Sequence, residues 1–169
     1  MKILMINDLY ELIGGSEVYL LNLFDILEER GHKVIVIYGV KAKLDNRTEH
    51  RPSYFVSFSQ PIRVIVDAIA DIIKKESPDI IHIHNLGQAQ GLYSYIGELC
   101  GLIPVVQSVH EHSVYCPSAQ KYFYNGPRIC QRKYGLYCLF SMLLNRCLDS
   151  KRPWVSFDFY NRPKQFLKN

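Results

Sequence analysis

Gly14-Gly15-Ser16-Glu17 interrupts the chain between an apolar run, Lys2–Asn7, and an amphipathic helical pattern. Glycine lacks a Cβ, so a ligand can come close to its backbone. The helix that follows presents unpaired N–H groups and the positive end of its dipole at the same place. The chemistry this suits is the holding of an anion, such as a diphosphate or a carboxylate. Three more polar groups each follow an apolar run: Asn7-Asp8, His84-Asn85 and His110-Glu111-His112. Their amide, imidazole and carboxylate groups can bond the hydroxyls of a polar ligand. The glycines lack the Gly-x-Gly-x-x-Gly pattern expected of a dinucleotide-binding dehydrogenase. No carboxylate pair of the glycosidase kind is visible.

The elements that must position these groups alternate in type. Strand patterns at Lys2–Asn7, Val34–Tyr38, Ile80–His84 and Pro104–Val109 are separated by helical patterns at Ser16–Arg30, Pro61–Glu76 and Gln88–Cys100. In the first helix Val18, Leu20, Leu21, Leu23, Phe24 and Leu27 form the apolar face, Ser16 is the expected N-cap and Gly31 the expected stop. Lys41–Pro52 reads as a loop and Tyr54–Phe58 as a short strand. This order implies an α/β fold with a Rossmann-like parallel sheet and helices on both faces. Ligands of such sheets bind beyond the carboxyl ends of the strands, where all the polar groups above fall. His82 alternates with Ile81 and Ile83 and reads as a satisfied core histidine. Glu17 suits either substrate contact or a first-turn acid facing the helix dipole.

The composition, 169 residues with 48% hydrophobic and 21% charged, is that of an ordinary globular domain. No apolar run reaches the ~18–20 residues that span a bilayer, and no signal-peptide pattern opens the chain, so a cytoplasmic location is the expectation. Charge is unevenly spread. Residues 1–118 hold 10 Lys/Arg and 14 Asp/Glu, whereas residues 119–169 hold 10 and 2. The basic third suits either a solvated face or an anionic membrane surface at the inner face of the membrane. The aromatics of residues 113–169, including Tyr115, Tyr122, Phe123, Tyr124 and Trp154, suit a packed extension, a membrane interface or a sugar acceptor. Nothing else favours nucleic acid. Cys116, Cys130, Cys138 and Cys147 form no Cys-x₂-Cys knuckle. Reduced thiols are the expectation, with a zinc ion held by these four, joined by His112, as the alternative. Cys100 reads as core.

Four motifs in order resemble the family-4 retaining glycosyltransferases. They are Gly14-Gly15-Ser16-Glu17, Gly31-His32-Lys33-Val34, Pro78-Asp79-Ile80-Ile81-His82-Ile83-His84, and Pro104-Val105-Val106 running to His110-Glu111. The resemblance covers residues 1–117. It implies the N-terminal, acceptor-side half of a GT-B fold, two Rossmann-like lobes with the active site between them. It also implies transfer of a hexose from a nucleotide-sugar donor to a glycan or lipid-linked acceptor with retention, by front-face attack and without a metal or other cofactor. Gly14 and Gly15 would approach the donor diphosphate and sugar. His110 would bond the transferred sugar as the catalytic residue, and His84 and Asn85 would line the cleft near the acceptor. Asn7, Ser16, Glu17 and Glu111 complete the candidate binding set, although Glu111 stands where the family carries Asp.

The resemblance further leads one to expect one domain over 1–169, with 113–150 a Cys/Tyr-rich basic insertion and with the nucleotide-binding second lobe absent. No two glutamates stand in the family's Glu-x₇-Glu relation. The missing lobe would be supplied in cis or in trans. The alternative is a non-catalytic acceptor-binding or scaffold module that partners a separate catalytic chain.

Overall fold

The computed structural model of the chain describes residues 1–41, 46–110, 116, 121–123, 128–131, 133, 138 and 140. The chain divides into two compact units, Met1–His110 and Glu111–Asn169.

The first unit is a five-stranded sheet in the order β3-β2-β1-β4-β5. Its elements are β1 (Lys2–Asn7), α1 (Gly15–Glu29), β2 (Lys33–Tyr38), β3 (Ser53–Phe55), α2 (Ile62–Glu76), β4 (Ile80–Ile83), a 3₁₀ helix (Gln90–Tyr95), α3 (Ile96–Cys100) and β5 (Val105–Gln107). All pairings are parallel, with Ile3 opposite Val34 and Ile80, and Ile81 opposite Val105. This is the Rossmann-like α/β fold expected. The apolar runs of β1 and β2 are continuous because both faces of the sheet are covered. On one face, Leu20, Leu21 and Phe24 of α1 pack on Ile3, Met5, Val34 and Val36. On the other, Ile65, Val66, Ile69 and Ile73 of α2 pack on Leu4, Ile6, Ile35, Ile37, Ile81 and Ile83.

The ends of the helices follow local chemistry. Gly31, at φ +80°, closes α1 with the N–H of Gly31 on the carbonyl of Glu28 (2.8 Å) and that of His32 on Leu27 (3.0 Å). That bonding pair is the Schellman motif, and it favours glycine at the left-handed position. At the other end Gly14, not Ser16, is the N-cap, and no side chain caps the helix. Ser16 Oγ instead donates to Glu17 Oε1 at 2.7 Å. Val18 is exposed and does not join the apolar face.

Three other expectations are corrected. The segment 88–100 is a 3₁₀ helix followed by a short α-helix, because Gly91 and Gly97 lower helical propensity. Asp8 accepts the N–H of Gln88 (3.1 Å to Oδ2). The strand expected over Tyr54–Phe58 ends at Phe55; Val56 and Phe58 turn into the core. The strand expected over Pro104–Val109 pairs only over Val105–Gln107.

In the second unit, β6 (Tyr122–Phe123) and β7 (Arg128–Ile129) pair antiparallel, with Phe123 buried. Among the described residues, no helix is long and apolar enough to cross a membrane. A further helical pattern in the sequence, over Leu136–Leu148, lies outside the described residues apart from Cys138 and Phe140.

Candidate functional site

The carboxyl end of β1 is held by buried side chains. Asn7 is fully buried; its Oδ1 accepts the N–H of Asn85 (2.9 Å) and its Nδ2 donates to the carbonyl of Leu9 (2.6 Å). The N–H of Asp8 donates to the carbonyl of Asn85 at 2.7 Å, and the Asp8 carbonyl accepts from Gly39 and Val40. Together these bonds clamp the loop after β1 to the loops after β2 and β4. Asn7 therefore shapes the rim, with no side-chain surface left for a ligand. Asn85 is half-buried beside it.

The two glycines differ. A Cβ on Gly14 would lie 2.9 Å from Glu17 Oε2, so this glycine makes room for a carboxylate of its own helix. Its φ of −142° is open to any residue. A Cβ on Gly15 would meet nothing within 4 Å. Gly15 thus faces open space at the first turn of α1, where backbone N–H groups have no partner within the helix. Glu17 is buried and held by Ser16, as a first-turn acid that complements the helix dipole.

Three histidines, His82 on β4 and His84 and His110 just beyond the ends of β4 and β5, lie on the α1 side of the sheet. Side chains alternate along a strand, so His82 and His84 share a face, as do Ser108 and His110. The register places His82 opposite Val106 on that same face. The bonds run diagonally: His82 Nε2 meets Ser108 Oγ at 2.9 Å, and His84 Nδ1 meets His110 Nε2 at 3.1 Å. The rings of His82 and His84 lie 4.2 Å apart and tilted by 32°. Tyr19 of α1 meets His110 in a T-shaped ring contact, with centroids 5.2 Å apart. Tyr19 thereby joins the first turns of α1 to the ends of β4 and β5.

His84 is 2% exposed, and its Nε2 meets no partner among the described residues. Burial, reinforced by His82 and His110, pushes its pKa down to about 3. His82 is lowered too, by burial and then by His110. Desolvation disfavours the charged imidazole, and neighbouring imidazoles add to this as they charge. His84 is therefore neutral in the working range, able to donate from one nitrogen and accept at the other. His82 is half-buried and bonded to Ser108, so it belongs to this cluster and not to the core.

The first unit therefore brings Gly14, Gly15, Ser16, Glu17, Asn7, His84, Asn85 and His110 to one rim. Glu111 lies outside the described residues. Sequence reasoning missed Tyr19 and Ser108 and set His82 apart. The signal was present in His82-Ile83-His84 and Ser108-Val109-His110, alternations on adjacent strands that place all four polar side chains on one face. Of the cysteines, Cys116 is buried and Cys130 and Cys138 are half-buried; Cys147 and His112 lie outside the described residues. Among the described residues, no three His, Cys, Asp or Glu side chains converge as metal ligands. Cys100 is buried, and burial pushes its thiol up to about 11.

The profile of Glycosyltransferase Family 4 matches residues 13–148. Among solved structures, the chain is similar to an alpha-glucosyltransferase (AGT) in complex with UDP, at 21% identity and TM-score 0.42, over 68% of this chain and 29% of that one. It is similar to S. aureus MnaA in a co-structure with UDP, at 17% identity and TM-score 0.47, over 87% and 34%. It is also similar to a Clostridium thermocellum family 3 carbohydrate esterase, at 17% identity and TM-score 0.41, over 63% and 59%. The chain thus spans about a third of the length of the two UDP-bound proteins, and less than two thirds of the esterase. No curated protein gives a significant sequence match.

Proposed function

This chain belongs to glycosyltransferase family 4, and we propose that it forms the acceptor-side lobe of an enzyme that transfers a hexose from a nucleotide-sugar to a hydroxyl of a glycan or lipid-linked acceptor, with retention. In this reading the nucleotide is bound largely by a second lobe, in the same or another chain. The first turn of α1 receives the donor's diphosphate, because Gly15 leaves its backbone approachable. His110 bonds a hydroxyl of the transferred sugar. The acceptor hydroxyl attacks from the same face as the departing phosphate, which takes the proton, so no protein carboxylate pair and no metal is needed. The basic residues 119–169 favour action at an anionic membrane surface, on its cytoplasmic side.

The observation that carries the reading is the contact of Tyr19 with His110, since it unites the glycine turn and the histidine cluster at one rim. The test is acceptor-dependent release of nucleotide from a panel of UDP-, GDP- and ADP-hexoses by the chain together with its second lobe. Release, with the anomeric configuration kept in the product, supports the reading. Tight acceptor binding with no release from any donor would instead establish a non-catalytic acceptor-binding module.

A further inference from the structure

We propose that Tyr19 is the platform on which the apolar face of a hexopyranose rests, one helical turn from Gly15. Naming that ring as the transferred sugar rests on the transferase reading; the contact itself does not.

An aromatic side chain on a helix leans toward the helix N-terminus and covers the residue four positions earlier. For Tyr19 that residue is Gly15, which has no side chain to cover. A Cβ placed on Gly15 would meet nothing within 4 Å, so the Tyr19 ring leaves this position open. The ring leans instead on the ends of β4 and β5. It makes a T-shaped contact with His110 at 5.2 Å and lies 6.0 Å from the His84 ring, tilted by 55°. Held on that side, Tyr19 is still 47% exposed. Val18, three residues after Gly15 and therefore on the same side of α1, is 42% exposed. The result is a notch, with the bare backbone of Gly15 as its floor and Val18 and Tyr19 as its wall.

Floor and wall suit opposite chemistry. The first-turn N–H groups need acceptors, whereas the tyrosine ring and the valine are apolar surface that gains from being covered. An alkyl chain would cover the wall but strip the N–H groups of water without replacing its bonds. A free phosphate would satisfy the N–H groups and leave the wall wet. A hexopyranose answers both, with C–H groups on the face of its ring and hydroxyls around the edge. Laid with its C–H face on Tyr19, it turns its hydroxyls toward the floor of the notch and the imidazoles. Tyr19 thus selects a pyranose whose C–H face is uninterrupted, and sets how that ring lies. Under the proposed function this is the transferred hexose, whose diphosphate continues to the first turn.

The test uses the 169-residue chain alone with methyl α-D-glucopyranoside, galactopyranoside and mannopyranoside as probes. It needs neither nucleotide nor second lobe, so its failure is distinct from an absence of nucleotide release. The tyrosine rings are labelled with ¹³C, and the Tyr19 signal is assigned by Tyr19→Phe. The expected result is a saturable shift of that signal with at least one probe at about millimolar affinity, ordinary for a ligand of this size. Intermolecular NOEs should join the Tyr19 ring to the sugar's C–H protons. Tyr19→Leu should weaken binding about fivefold to tenfold, the worth of about 40–55 Å² of apolar surface covered. Tyr19→Phe keeps the ring and should bind as the unsubstituted chain does. No saturable shift with any of the three probes would overturn the proposal, as would binding without NOEs to Tyr19 or unchanged affinity in Tyr19→Leu. A Tyr19 signal that responds to phosphatidylcholine vesicles and not to the sugars would overturn it in favour of a lipid-binding lip. If Tyr19→Leu does not fold, the shifts and NOEs of the unsubstituted chain still decide the matter.

Discussion

Gly15→Ala should make the chain slightly more stable and, on the proposed reading, make glycosyl transfer by the chain with its second lobe much slower. Gly15 is the first residue of α1, and its φ is not in the left-handed region. A methyl group there meets nothing within 4 Å, so the folded state accepts it without strain. Alanine also restricts the unfolded chain, which stabilises by about 0.4–1 kcal/mol at a compatible position. For a chain of this size that raises Tm by about 1–4 °C. The same methyl group occupies the space through which the donor's diphosphate would reach the backbone. A loss of at least about tenfold in turnover, ~1.4 kcal/mol of barrier, is expected. Calorimetry and nucleotide release, measured on one preparation, read the two effects. Gly14→Ala is the control: its methyl group would sit 2.9 Å from Glu17 Oε2 and displace a buried carboxylate, so stability should fall by about 1 kcal/mol. Unchanged turnover in a stable Gly15→Ala protein would refute the approach of the donor at this turn. A destabilised Gly15→Ala protein would refute the account of the turn itself.

Stability should fall as pH drops below about 6.5, the ordinary histidine value, and continue falling towards about 3, the lowered pKa of His84. In this window the unfolded chain takes up a proton that folded His84, packed against His82, His110 and Tyr19, refuses. One proton contributes at most about 1.4 kcal/mol per pH unit, or about 2 kcal/mol lost by pH 5. Urea melts at pH 7.5 and 5 should show this loss in the unsubstituted chain and a shallower one in His84→Gln; equal slopes would contradict the assignment. Gly39→Ala should destabilise by about 3 kcal/mol, because its Cβ would fall 1.9 Å from the buried ring of Phe58. An unchanged urea midpoint would mean that Phe58 can move aside at no cost.

The sheet was legible because its strands are continuous apolar runs. Lys2–Asn7 and Ile80–Ile83 could be placed to within a residue, since strands covered on both faces carry few polar residues. Gly31 was legible as a stop because the Schellman turn demands a left-handed residue. The segment after Gly87 was not: Gly91 and Gly97 weaken its helical pattern, and only Ile96–Cys100 forms an α-helix. Ser16 has the right residue type for a cap, yet its hydroxyl is taken by its neighbour Glu17. The glycine turn and His110 were each visible as single signals. Their meeting depends on Tyr19, whose half-exposed ring bears no motif. The pairing of His84 with His110 depends on a diagonal between adjacent strands, which needs the parallel register of β4 and β5 to be known.

The central claim is that the rim formed by α1, β4 and β5 takes part in glycosyl transfer, and His110→Ala tests it most directly. His110 is half-buried, and its truncation leaves the buried Nδ1 of His84 without its partner, so it should cost about 1–3 kcal/mol of stability. Turnover should fall by about a hundredfold or more, on the scale of losing one well-placed hydrogen-bond donor to the reacting group. A folded His110→Ala protein that transfers sugar at the unsubstituted rate would contradict the claim.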